Sequence, residues 1–88
     1  MAYKGKVYFR KLGNMKSVYI NGLKDIPQGK YTEIVSFPDE YAPKYAFYVD
    51  RNDMDGNTIR LMFSSSLSIY PYGPFGQQNN FMVSEFYF

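Results

Sequence analysis

Hydrophobic and polar residues alternate along the chain in short runs, and residues that favour turns separate the runs. "KVYFRKL" at 6–12 is the first run, closed by Gly13-Asn14, and "KSVYING" at 16–22 follows with Val18 and Ile20 on one face. After a loop containing Pro27 and Gly29, "TEIVSF" at 32–37 ends at Pro38, which has no amide to donate and keeps Phe37 extended. A fourth run, "YAFYVD" at 45–50, precedes an acidic turn. Then "NTIRLMFS" at 57–64 alternates cleanly, with Ile59, Leu61 and Phe63 on one side and Thr58, Arg60 and Met62 on the other. "LSIYPY" at 67–72 and "NFMVSEFYF" at 80–88 complete the series. A period of two with closely spaced turns predicts strands throughout. The expected fold is a single all-β domain over residues 1–88, an antiparallel sandwich or barrel of roughly six to eight strands. Its expected core is Val7, Phe9, Val18, Ile20, Val35, Phe37, Phe47, Val49, Ile59, Leu61 and Phe63.

Two connections carry candidate chemistry. "DRNDMDGNTIR" at 50–60 gathers carboxylates and amides around Gly56. An EF-hand loop needs oxygen ligands at its first, third and fifth positions, glycine at the sixth and glutamate at the twelfth. Anchoring that frame on Gly56 puts Arg51 first and Met62 last, so the stretch reads as a hairpin turn in which Asp, Gly and Asn supply unusual backbone angles. A weak calcium site from Asp53 and Asp55 is compatible with it but not required, and no metal is assigned. The second connection, "PYGPFGQQNN", is too long and too rich in Pro and Gly for a tight turn. It sets Tyr70, Tyr72 and Phe75 beside Gln77, Gln78, Asn79 and Asn80. Flat rings offer a surface to the C–H face of a sugar, and amides both donate to and accept from its hydroxyls. Rings that merely cap one end of a small barrel are the competing explanation. Tyr70, Tyr72, Phe75, Gln77, Asn79, Asp53, Asp55 and Asn57 are accordingly the candidate ligand-binding residues.

Composition narrows the classes of function. Ten Tyr and eight Phe suit pleated sheets. With no cysteine or histidine, disulfides, the usual transition-metal ligands and the common nucleophile–base pairs are missing. The expectation is a protein without cofactor that is not an enzyme. The carboxylates Asp50, Asp53 and Asp55 lie on one turn, a poor match to the fixed pair of a glycosidase. No apolar run is long enough to cross a bilayer, so membrane insertion is not expected. Residues 1–30 hold seven Lys or Arg and only Asp25, against three basic and seven acidic residues in 31–88. Lys4, Lys6, Arg10 and Lys16 fit the solvent faces of two strands, where lysine also discourages edge pairing. A nucleic-acid stripe is the less favoured alternative.

"VYFRKLGNMKSVYI", "SFPDEYAPKYAFYV", a polar turn and "NTIRLMFSSSLSIY", followed by a closing aromatic strand, resemble the C-terminal head domain of bacteriophage tail-fibre and baseplate receptor-binding proteins. Arg10-Lys11 with Gly13-Asn14, Phe37-Pro38 through Pro43, and Ile59-Leu61 with Leu67, Ile69 and Tyr70 carry the resemblance. Ser64 to Ser66 stand where that family usually has glycine. The resemblance implies a C-terminal fragment of a longer protein that forms a homotrimer at the distal tip of a virion's fibre or baseplate. It also implies recognition of a host cell-surface polysaccharide or cell-wall polymer, without catalysis. Independently, the last strand is apolar on both faces, with Phe81, Val83 and Tyr87 on one and Met82, Phe86 and Phe88 on the other. It is expected either to meet a neighbouring subunit or to lie centrally in one sandwich. The alternative functions are a structural trimerisation domain and, less favoured, an OB-like barrel binding single-stranded nucleic acid through Tyr8, Arg10, Lys16 and Tyr19.

Overall fold

The seven alternating runs form seven strands. A computed structural model describes residues 6–23, 26–52, 56–73 and 81–88. The strands are β1 (Lys6–Leu12), β2 (Met15–Leu23), β3 (Thr32–Ser36), β4 (Phe47–Asn52), β5 (Thr58–Phe63), β6 (Ser66–Pro71) and β7 (Phe81–Tyr87). They make two antiparallel sheets, one ordered β1-β2-β7 (sheet A) and the other β3-β6-β5-β4 (sheet B). Gly13 and Asn14 close the β1–β2 hairpin between the paired Leu12 and Met15, and Gly13 takes the positive φ (61°) that a two-residue hairpin demands. The glycine-free turn at Ser64–Ser66 is held by a bond from the Ser64 amide to the Ser66 carbonyl, and the Ser65 carbonyl accepts the Phe37 amide.

The inner faces of the two sheets share one core. Val18, Ile20 and Val83 from sheet A are buried with Ile59, Leu61, Phe63, Leu67 and Ile69 from sheet B. Rings fill one region of it. Phe63 stacks on Phe47 at 4.6 Å between centroids, and Tyr87 and Phe37 lie 5.3 and 5.9 Å from it. Phe9 extends the cluster to Phe37 and to Tyr41, the last residue of a 3-10 turn at Asp39–Tyr41. Every expected core position is buried or half-buried, the half-buried ones being Val7, Phe9, Val35, Phe47 and Val49. The alternation alone did not single out Leu23 and Ile26, which enter the core from the end of β2 and the loop beyond it.

Three details differ from the sequence expectation. β4 starts at Phe47 and runs on through Asp50, Arg51 and Asn52, and each charged side chain there has a partner, Asp50 on the adjacent β5 and Arg51 on the other sheet. Asp50 pairs with Arg60 on β5, and Arg51, turned toward the other sheet, forms a two-point ion pair with Glu85 on β7. Lys16 lies on the same side of β2 as Val18 and Ile20, not on the solvent face, and its ammonium donates to the Ala42 carbonyl at 2.9 Å. On β7, Val83, Glu85 and Tyr87 face inward while Met82 and Phe86 are exposed. Glu85 is tolerated at this nearly buried position because the Arg51 guanidinium neutralises it.

Phe63→Ala removes the centre of the ring cluster. It should lower stability by about 3–5 kcal/mol, read from the urea midpoint at unchanged m-value. Tyr87 donates its hydroxyl to the Tyr41 carbonyl at 2.7 Å, and burial, reinforced by Tyr41, pushes its pKa up to about 12. The folded state therefore holds this proton where the unfolded state releases it. The resulting stability is complete below about pH 10 and is lost as the pH rises toward 12. Chemical denaturation across that window should show a decline that Tyr87→Phe flattens.

Candidate functional site

The outer face of sheet B is built by the same alternation that fills the core. With Ile59, Leu61 and Phe63 turned inward, Arg60 points outward from the middle of β5, and the strand registers place Asp50 on one side of it and Tyr70 on the other. Tyr31, immediately before the Thr32–Ile69 pair, extends this row onto the β3 side. Arg60 Nε donates to Asp50 Oδ1 at 2.8 Å and Nη2 to Oδ2 at 3.2 Å. The guanidinium lies 4.0 Å from the centre of the Tyr48 ring and 5.7 Å from that of Tyr72. Tyr70 in turn is 4.9 Å from Tyr31 and 5.0 Å from Tyr72. The result is a continuous surface of tyrosine rings around one fixed arginine.

The charges on this surface are locked. The hydrogen bond from Arg60 draws the Asp50 carboxyl below its usual range, and Asp50, with Tyr72 and Tyr31 adding to it, raises the guanidinium above its own. Both groups stay ionised at any ordinary pH. Held in this way, Arg60 keeps further N–H donors, Asp50 keeps unused acceptor positions and the tyrosine hydroxyls can do either. The face thus offers flat apolar area and fixed polar groups of both kinds.

The described flanks of both candidate loops leave sheet B at the same end. The Tyr72 amide donates to the Thr58 carbonyl at 2.9 Å, so the chain leaving β6 runs beside the chain entering β5. Asn57 packs so closely on Gly73 that a Cβ there would meet Asn57 Oδ1 at 2.5 Å. A third segment joins them, with the Gly29 amide bonded to the Pro71 carbonyl and Gln28 Nε2 to the Tyr72 carbonyl. Of the residues expected from sequence, Tyr70, Tyr72 and Asn57 are brought together here, while Asp53, Asp55, Phe75, Gln77 and Asn79 lie outside the described residues. Asp50 does not belong to an acidic turn cluster, because it is committed to Arg60. Tyr31, Tyr48 and Arg60 join the site although loop composition does not single them out, Arg60 being expected only to face outward. Asp50 and Arg60 are equidistant from Asp55, so a hairpin centred there would have paired them.

The opposite surface of the molecule differs in kind. On the outer face of sheet A, Tyr8 and Tyr19 lie 6.1 Å apart, and Leu12, Met15, Met82 and Phe86 are also exposed. Tyr8, Arg10 and Tyr19 share this face, but Lys16 points into the other side of the sheet, which divides the set of four considered for nucleic acid. Among the described residues no group of three or more acidic side chains could hold a metal ion, and no helix is long and apolar enough to cross a membrane. No family model, curated protein or solved structure matches this chain.

Proposed function

We propose that the protein is a non-catalytic saccharide-binding module that uses the outer face of sheet B. The observation that carries this reading is the row of Tyr31, Tyr70 and Tyr72 beside the immobilised Arg60–Asp50 pair. A pyranose presents C–H groups on its faces and hydroxyls at its rim. Such a ligand matches tyrosine rings bordered by a guanidinium that only donates and a carboxylate that only accepts. The loops that meet at Asn57 and Gly73 would add contacts along a longer glycan. We take the ligand to be a bacterial surface polysaccharide or cell-wall polymer and the setting to be the head of a bacteriophage fibre or baseplate. That setting is supported by the resemblance in sequence alone.

Assembly is a second part of the proposal, favoured by a separate observation. The exposed side chains of Leu12, Met15, Met82 and Phe86 put apolar area on the outer face of sheet A beside Lys6 and Arg10, which suits contact with further copies of the chain in a homotrimer.

On an array of bacterial glycans the parent should retain specific ligands. Tyr72→Ala and Tyr70→Ala should each weaken binding by about tenfold or more, or about 1.4 kcal/mol. Gly73→Ala, which forces Asn57 away, should weaken it while leaving the fold intact. Binding unchanged in all three variants would place recognition elsewhere. For assembly, sedimentation should give a trimer that Phe86→Glu converts to monomer; a monomeric parent would remove the assembly proposal and leave the saccharide one standing.

A further inference from the structure

Lysine is distributed unevenly over the surface of the sandwich. In the β1–β2 hairpin, Lys11 and Lys16 are direct cross-strand partners and therefore project from the same side of the sheet. Two like charges in that position destabilise a strand pair. Among the described residues no carboxylate pairs with either of them. The described ion pairs engage Arg51 and Arg60, and neither Lys11 nor Lys16 takes part in one. Lys16 also donates to the Ala42 carbonyl at 2.9 Å, which holds its ammonium on this side of the sheet.

A third cation joins the pair. Lys44 follows the 3-10 turn, and its amide is tied to the Phe88 carbonyl at 2.8 Å. Lys11, Lys16 and Lys44 line a single concavity of about 710 Å³ with Asn14, Tyr45 and Phe88. No Asp or Glu side chain contributes to it. Tyr45 and Phe88 are 73% and 62% exposed, with Lys44 Nζ 5.7 Å from the centre of the Tyr45 ring, so flat apolar area stands beside three ammonium groups that the described ion pairs do not engage. This combination matches a ligand with concentrated negative charge on one side and a flat carbon skeleton on the other. Lysine supplies the point charges and an aromatic ring the stacking surface.

We propose that this concavity is a binding site for an organic phosphate, with the phosphate among Lys11, Lys16 and Lys44 and the carbon portion against Tyr45 and Phe88. Its residues are separate from those of the saccharide face, so either site can fail without the other. Binding would relieve the cross-strand repulsion between Lys11 and Lys16, and occupancy should therefore register as stability as well as affinity.

The test is a titration of the ¹⁵N-labelled protein with phenyl phosphate and with inorganic phosphate, each against sodium chloride of equal ionic strength. Amide shifts should centre on Lys11, Asn14, Lys16, Lys44 and Tyr45, with phenyl phosphate the tighter of the two. Lys44→Gln and Lys11→Gln should each weaken binding by about fivefold or more, whereas Lys6→Gln, which removes a charge at the far end of β1, should not. Lys11→Gln should also raise the melting temperature in low salt and reduce the further rise that phosphate gives the parent. Shifts spread over all surface lysines, equal weakening by Lys6→Gln, or no saturable binding would overturn the proposal. Equal affinity for the two phosphates would remove the part assigned to the rings.

Discussion

Contact between Phe63 and Tyr87 is what makes two sheets into one domain. Phe63 comes from the end of β5 and Tyr87 from the end of β7, and their rings meet at 5.3 Å between the layers. Phe47 and Phe37 close around them, and the Tyr87 hydroxyl reaches past the cluster to the Tyr41 carbonyl. With no disulfide and only 88 residues, the chain has little other means of holding its layers together. Large rings serve because each removes much apolar area from water on a short strand. Once they have set the separation and register of the sheets, the outward-facing residues have no choice of position. The tyrosine–arginine row on sheet B is the reverse side of the pattern that buries Ile59, Leu61 and Phe63.

Charge is handled in contrasting ways across the molecule. Arg51 and Arg60 each meet a carboxylate through two hydrogen bonds, one joining the sheets through Glu85 and one fixing the surface of sheet B through Asp50. A guanidinium is suited to this because its planar fork matches a carboxylate. The lysines at the β1–β2 hairpin receive no such match. A surface built only for stability would have placed Glu opposite Lys11, and the absence of that simple solution gives the lysine-lined concavity its interest.

Strand positions and core faces were legible because a period of two is a local signal. The expected spans of β1, β2, β5 and β6 differ from the observed ones by a residue or so at each end, and the whole list of core positions is sheltered from solvent. Partnership across strands was not legible. "DRND" reads as one acidic turn because Asp50, Arg51 and Asn52 are polar, yet Asp50 meets Arg60 across the β4–β5 hairpin and Arg51 meets Glu85, far away in sequence, so both belong to β4. Charge alone points Lys16 to solvent, whereas the parity it shares with Val18 and Ile20 two and four residues later sets its side. The candidate site was half visible. Tyr70, Tyr72 and Asn57 could be named from loop composition, whereas Tyr31, Tyr48 and Arg60 join them only once four strands are aligned.

Sheet A is assembled from the two ends of the described chain, since β2 pairs with β1 on one side and with β7 on the other. Sheet B takes all its strands from the intervening segment. During synthesis, then, the four strands of sheet B leave the ribosome while one wall of their core is still incomplete, and Val83 and Tyr87 arrive only with the last strand. Until β7 docks, Leu61, Phe63 and Ile69 lack part of their cover, and the nascent chain depends on its surroundings to keep them from other partners. The pairs that close this wall run from Leu23–Phe81 to Lys16–Tyr87, contacts between residues far apart in sequence that cannot form before β7 is made.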